Sequence, residues 1–139
     1  MLRRSREFLI RQFYEKTGAD KRPRKTRVNT QIKLVKEEYK ELLEEFQKGN
    51  IGYEENINGE LVPVYDPLKF DRVALCKEIE DCIYVLIGLS IDLGFKSDEA
   101  FNAIHESNLS KVKYGIVKDE TGKVLKGPHY QPANIEEFV

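Results

Sequence analysis

Residues 33–46, KLVKEEYKELLEEF, repeat large apolar side chains at i, i+4, i+7 and i+11, namely Val35, Tyr39, Leu42 and Phe46. This spacing follows one face of an α-helix and does not fit a strand. We expect a helix over about 30–48 that ends at Gly49-Asn50, because glycine is common just after a helix. The adjacent stripe of the same helix is rich in glutamate.

A second decisive stretch is residues 82–94, CIYVLIGLSIDLG, which follows Asp81. It is apolar nearly all the way round, which predicts a helix buried on several sides, over about 67–93. One partner helix cannot cover so broad an apolar surface. We therefore expect self-association into a homodimer or homotetramer.

The rest of the chain completes a mainly α fold, a four-helix bundle finished by oligomerisation, with two short β-hairpins. Further helices are predicted at 3–17 and at 97–112, the latter with Ser97 as N-cap. The hairpins are expected at 51–67, inserted between helices and turning at Asn58-Gly59, and at 113–126. An extended basic connection is expected at 21–25, where Pro23 disfavours helix in the residue before it.

Length and composition indicate one domain, residues 1–139, with 34% charged residues. No apolar stretch approaches the ~20 residues that span a bilayer, and nothing suggests export. The cysteines at 76 and 82 are too far apart round their helix to pair, so we expect a cytoplasmic protein, in the host cytoplasm if it is viral. Residues 1–36 hold twelve basic and three acidic residues, which leaves open a non-catalytic helical module that binds nucleic acid.

Two acidic pairs carry the chemistry. Glu38 and Glu41 are spaced i, i+3 on one predicted helix, and Glu78 and Asp81 have the same spacing on another. Each pair leaves its helix on one side, so facing helices would gather four carboxylates that need cations. The first pair alone would be explained as well by a solvated helix face. Asp81 is different, because an unpaired carboxylate beside a long apolar stretch costs several kcal/mol.

The order of these motifs resembles the all-α nucleoside triphosphate pyrophosphohydrolases, a superfamily that includes the MazG-like enzymes. The resemblance rests on three elements: Glu37-Glu38-Tyr39-Lys40-Glu41, Glu78-Ile79-Glu80-Asp81, and the run His105–Lys111 followed by Gly122–Gly127 and Pro132. The last element is similar to a phosphoribosyl-ATP-pyrophosphohydrolase-like subgroup that is common among phages. The interval between Glu41 and Glu78 is longer than is usual in the superfamily, and the Gly49–Phe70 insertion, which contains the 51–67 hairpin, accounts for it.

The resemblance implies a role for each matching residue. Glu38, Glu41, Glu78 and Asp81 match metal-binding acids, and Glu37 and Glu38 are the candidates for catalysis, Glu37 by orienting water or a second metal. The matching substrate-binding positions are Asn108, Lys111, Lys123 and Lys126.

The implied activity is Mg²⁺-dependent hydrolysis of a (deoxy)nucleoside triphosphate to its monophosphate and pyrophosphate, for nucleotide-pool control, with Mn²⁺ able to replace Mg²⁺. Phosphoribosyl-ATP is the alternative substrate. Other polar residues receive structural roles at this stage. Asp92 is expected to be exposed at a helix end. Asn29 and Gln31 could contact a base edge of the substrate, although a helix N-cap is the preferred role for either of them.

Overall fold

Helices make up most of the computed structural model, which describes residues 3–49, 52–64 and 71–139. In chain order, the helices are α1 (Arg6–Thr17), α2 (Arg24–Lys48), α3 (Arg72–Asp92) and α4 (Ser97–Ser110). Two strands, β1 (Gly52–Glu55) and β2 (Leu61–Val64), lie between α2 and α3. Short 3₁₀ turns occur at Ala19–Lys21 and Glu136–Phe138. The prediction of a mainly helical fold is confirmed.

Helices α2 and α3 run antiparallel and form the largest helix–helix interface. Arg27, near the start of α2, lies beside Asp92 at the end of α3. Farther along α2, Gln31 Nε2 donates to the Val85 carbonyl oxygen at 2.9 Å. The acidic residues of both helices consequently come together at the opposite end of the interface, between the second half of α2 and the first half of α3.

Helix α1 packs against α3 through a small apolar core. Ser5 caps its N-terminus by accepting from the Phe8 amide, and Gly18 ends it with a φ of 75°. Ile10, Tyr14 and Ile91 form the buried cluster. Several large apolar side chains of α1 and α3 stay exposed in the single chain, namely Phe8, Leu9, Phe13, Ile79, Tyr84 and Leu86. Helix α3 therefore has apolar side chains on its solvent-exposed side as well as on the sides that pack against α1 and α2.

A buried polar cluster joins α1, α2 and α3, and it corrects two predictions. Asp92 is not exposed: it is 2% exposed, and its Oδ1 lies 3.6 Å from the Arg27 Nε. Gln31 lies inside α2 and caps no helix. The Tyr14 hydroxyl lies 3.2 Å from Gln31 Oε1 and 3.4 Å from Asp92 Oδ2. Burial raises the pKa of Asp92, while the Arg27 charge and the Tyr14 hydrogen bond oppose that rise.

Helix starts differ from the predictions for local and for long-range reasons. Helix α2 begins at Arg24 and not near residue 30, because Pro23 occupies the N-cap position, where its missing N–H costs nothing. The expected extended connection at 21–25 is therefore wrong at Lys21, which belongs to the 3₁₀ turn, and from Arg24 onward; only Arg22 and Pro23 lie outside a helix or 3₁₀ turn. Ser97 does not cap α4: Lys96 is the N-cap and makes no side-chain bond. Instead Glu7 Oε2, on α1, accepts from the Asp98 amide at 3.2 Å.

Helix α3 begins at Arg72, where Asp71 Oδ1 accepts from the Ala74 amide at 3.0 Å. The predicted start of this helix at 67–70 lies outside the described residues. No helix in the described parts of the chain is long and apolar enough to cross a membrane.

The first predicted hairpin is present over residues 52–64, whereas its predicted ends at 51 and 65–67 lie outside the described residues. The second predicted hairpin is reduced. Strands β1 and β2 pair antiparallel, with Gly52 opposite Val64, and Gly59 in the connecting turn has a φ of 77°. The 113–126 segment forms one isolated bridge, between Lys118 and Val124. Asp119 Oδ1 accepts from the amides of residues 121 and 123 and so organises a turn by itself.

Candidate metal centre

Three carboxylates converge between α2 and α3. One oxygen from each of Glu38, Glu41 and Glu78 lies within 4.8 Å of the others. The i, i+3 spacing on α2 places Glu38 and Glu41 on one side of that helix, and the antiparallel packing brings Glu78 opposite them. Glu41 is exposed, Glu38 is half-buried, and the Glu78 side chain is only 13% exposed.

Two oxygen atoms of this cluster are buried without a hydrogen-bond partner. They are Glu38 Oε2 and Glu78 Oε2. A buried carboxylate oxygen without a hydrogen-bond partner is costly, and a bound cation is one way to satisfy such an atom. Several carboxylate oxygens in one small volume are the donor set that Mg²⁺ and similar hard cations prefer. The residues present therefore fit a divalent metal ion.

The surroundings of Glu38 disfavour its ionised form. Burial raises the pKa of Glu38, and the negative charges of Glu41, Asp81 and Glu78 raise it further. Burial, together with the same acids, also raises the pKa of the nearby Cys82 thiol. The atoms that converge at this site are the carboxylate oxygens of Glu38, Glu41 and Glu78.

Asp81 lies beside the three convergent acids but is held by a lysine. Its Oδ2 is 2.6 Å from the Lys77 Nζ, one helical turn earlier on α3. The same Nζ lies 3.6 Å from Glu78 Oε1. The hydrogen bond to Asp81 raises the pKa of Lys77. Sequence reasoning did not assign Lys77 a role, although the i, i+4 spacing from Asp81 is a readable signal.

The other acids of α2 lie outside the cluster. Glu37 is exposed, and its side chain makes no hydrogen bond or ion pair with any residue that the structure describes. Glu45 follows Glu41 by about one turn and is paired with Lys48 at 3.1 Å. The structure thus brings together Glu38, Glu41 and Glu78 but not Glu37.

The predicted substrate-binding residues form no described hydrogen bond or ion pair with the acids. Across the described ranges, no side-chain hydrogen bond or ion pair joins Asn108, Lys111, Lys123 or Lys126 to the acidic cluster. Asn108 is exposed near the end of α4, and Lys111 directly follows that helix. The Lys126 Nζ lies 4.8 Å from the centre of the Tyr130 ring.

A cavity of about 740 Å³ lies between α4 and residues 128–134. Its walls include Ser107, whose hydroxyl donates to the Gln131 carbonyl oxygen at 2.7 Å. Tyr114 and His129 also line it, with ring centroids 4.2 Å apart. Asn108 is on another face of α4 and does not line this cavity.

The sequence also matches a known protein family. The family model described as phosphoribosyl-ATP pyrophosphohydrolase matches residues 7–108, a range that includes all four helices except the first residue of α1 and the last two residues of α4. A search of curated proteins finds no match. The family supports a nucleotide pyrophosphohydrolase activity in general. The chain belongs to the phosphoribosyl-ATP pyrophosphohydrolase family, within the MazG-like all-α nucleoside triphosphate pyrophosphohydrolase superfamily.

Proposed function

We propose that this protein catalyses the Mg²⁺-dependent hydrolysis of a (deoxy)nucleoside triphosphate to its monophosphate and pyrophosphate, for control of the nucleotide pool. The observation that carries the proposal is the convergence of Glu38, Glu41 and Glu78 within 4.8 Å, with two orphaned carboxylate oxygens. Membership of the family supplies the reaction class.

The charges of the site explain why a metal is needed. A triphosphate chain carries several negative charges, and the acids between α2 and α3 would repel it unless cations lie between them. Glu38, Glu41, Glu78 and Asp81 would hold these ions. Bound Mg²⁺ supplies polarisation of the phosphate oxygens and promotes ionisation of the attacking water. Mn²⁺ takes a similar set of oxygen ligands and should replace Mg²⁺.

The other assigned residues receive roles that suit their surroundings. Glu37 is exposed and directly precedes Glu38 in the chain, and we assign it the orientation of the attacking water or of a second metal ion. We propose that the sugar and the phosphates of the substrate are bound by four side chains whose donors would offset phosphate charge, namely Asn108, Lys111, Lys123 and Lys126.

We also propose that the active form is a homodimer or homotetramer. The exposed apolar side chains of α1 and α3 support this, because such a surface is normally covered by a partner. Size-exclusion chromatography with light scattering tests it. A single monomeric mass at micromolar concentration would contradict the proposal.

The activity is tested by incubating the purified protein with each ribo- and deoxyribonucleoside triphosphate and Mg²⁺, with separate detection of pyrophosphate and orthophosphate. We expect pyrophosphate and a nucleoside monophosphate in equal amounts. Glu38→Gln should abolish turnover, whereas Glu44→Gln, an exposed acid of the same helix, should not. Release of orthophosphate alone, or no turnover of any nucleotide, would contradict the proposal.

Phosphoribosyl-ATP is the second candidate substrate, favoured by the description of the family model itself. The two substrates share the bond to be broken, so the metal centre does not distinguish them. A competition assay does, since selectivity is a ratio of kcat/KM values. If phosphoribosyl-ATP is turned over with a higher kcat/KM than every simple triphosphate, this second candidate replaces the first.

A further inference from the structure

We propose that Lys77 is a tethered counter-ion of the metal centre, which partly offsets the charges of Asp81 and Glu78 in the metal-free protein and is displaced when a divalent ion binds. This inference rests on the proposed function, because it concerns the metal centre named there. Its basis is the position of the Lys77 Nζ, 2.6 Å from Asp81 Oδ2 and 3.6 Å from Glu78 Oε1.

Glu78 is the residue that couples the lysine to the metal centre. It is one of the three acids whose oxygens converge within 4.8 Å, and it is also within ion-pair distance of Lys77. Asp81, the fourth predicted ligand, makes the shorter of the two ion pairs. A metal ion that takes oxygens from both acids must therefore compete with the Lys77 ammonium group.

The exposure of the three side chains indicates that Lys77, and not the acids, is the group free to move. The Lys77 side chain is 66% exposed, whereas those of Asp81 and Glu78 are 38% and 13% exposed. The ammonium group approaches the acids from the solvent side on a flexible stem, so it can swing into water at low cost when an ion arrives. The Glu78 carboxylate has less freedom, because its side chain is nearly buried between α2 and α3.

Other lysines near the centre are arranged differently. Lys48 pairs with Glu45, which is not one of the three convergent acids. Lys40, one residue before Glu41, makes no ion pair with any described residue. Lys77 therefore has the position expected of a competitor for the metal, and Lys40 offers a matched control of the same charge on the facing helix.

The test is titration of the metal-free protein with Mn²⁺ by isothermal calorimetry, comparing the wild type, Lys77→Gln and Lys40→Gln. Removing a competing charge a few ångströms from the ion should lower the Kd of Lys77→Gln by roughly two- to tenfold. Lys40→Gln should stay within about twofold of the wild type, since it removes an unpaired surface charge. Equal Kd values for the two variants would overturn the inference.

Thermal melting provides a second readout that a purely structural role would not reproduce. In EDTA, Lys77→Gln should melt below the wild type, because Asp81 and Glu78 lose their counter-ion. At saturating Mn²⁺ the difference should disappear or reverse. An equal loss of Tm with and without the metal would instead show that Lys77 only stabilises α3, and would overturn the inference.

The two proposals fail in different ways. If the wild type binds Mn²⁺ and both lysine variants bind it equally well, the role of Lys77 is wrong and the metal centre stands. If neither the wild type nor Lys77→Gln binds Mn²⁺, the metal centre itself is wrong, and the role of Lys77 is overturned with it.

Discussion

Replacing Glu38 by glutamine should stabilise the metal-free protein while it destroys metal binding. The substitution keeps the shape of the side chain and removes one negative charge from the centre of the acidic cluster. It also removes the need to leave a buried carboxylate oxygen, Oε2, without a partner. The glutamine amide can donate to the neighbouring Glu41 carboxylate, which an ionised Glu38 cannot do.

The magnitude follows from the distances. At 4.8 Å, the upper limit for the separation of the oxygens, two unit charges repel by about 0.9 kcal/mol in bulk water and about 3.5 kcal/mol at an effective dielectric constant near 20. Glu38 has two such neighbours, Glu41 and Glu78. Glu41 is exposed and lies near the water limit, and the Lys77 ammonium partly offsets the charge of Glu78. We therefore expect a gain of about 2 kcal/mol in the free energy of unfolding.

The pH dependence provides an internal control. Because burial and neighbouring acids raise the folded-state pKa of Glu38 above its ordinary value of 4.5, the wild type is more stable when this group is protonated. That stability is complete below the unfolded pKa and is lost as the pH rises through the folded pKa. The advantage of Glu38→Gln should thus be present at pH 7.5 and absent below about pH 4.5.

Urea denaturation in EDTA at the two pH values measures this, with Glu44→Gln as the control for loss of an exposed acid. The control should change the free energy of unfolding by less than about 0.5 kcal/mol. At saturating Mg²⁺ or Mn²⁺ the order should reverse, because the metal stabilises only the wild type. A Glu38→Gln variant that is no more stable than the wild type in EDTA at pH 7.5 would refute the reasoning.

Three further predictions concern the fold and the site. Glu7→Ala should lower the free energy of unfolding by about 1–2 kcal/mol, because α4 loses its N-terminal cap; an unchanged urea midpoint would contradict that role. Gly88→Ala should lower the free energy of unfolding by about 1–3 kcal/mol, because the new Cβ would clash with the Tyr14 hydroxyl and lie 2.6 Å from Gln31 Nε2; an unchanged Tm in thermal melts would contradict this prediction. Mn²⁺ affinity measured by calorimetry should weaken as the pH is lowered, because Glu38 must lose its proton to bind the metal. The pH at which the affinity is half lost should lie above 4.5, the ordinary pKa of glutamate; a value at or below 4.5 would argue against the raised pKa.

The helices and the facing acids were predictable because their signals are local. The apolar spacing from Val35 to Phe46 identifies α2, and the apolar stretch after Asp81 identifies α3. The i, i+3 pairs fix which carboxylates share a helix side. Packing of the two helices is then enough to bring Glu38, Glu41 and Glu78 together.

Features that depend on partners far along the chain were missed. The cap of α4 comes from Glu7, 91 residues away from Asp98, and no local pattern indicates it. The sequence predicts that Asp92 is exposed at a helix end, because it does not reveal that Arg27, on another helix, pairs with it. Helix α2 starts six residues early because Pro23 can begin a helix as well as break one.

The positions of the predicted substrate-binding residues relative to the acids also could not be predicted from the sequence. Asn108, Lys111, Lys123 and Lys126 were assigned to substrate from resemblance, and spacing alone cannot tell which helix face meets the acids. The structure places Asn108 on an exposed part of α4 and Lys126 against Tyr130. Their proposed roles therefore depend on the substrate or on a second copy of the chain.

A crystal structure of the wild-type protein grown with Mn²⁺, with anomalous data collected to locate the metal, tests the central claim most directly. We expect anomalous density between α2 and α3, with carboxylate oxygens of Glu38, Glu41, Glu78 and Asp81 at coordination distance and the Lys77 side chain turned away. Well-ordered acids with no metal among them at saturating Mn²⁺, or Mn²⁺ bound only elsewhere, would contradict it.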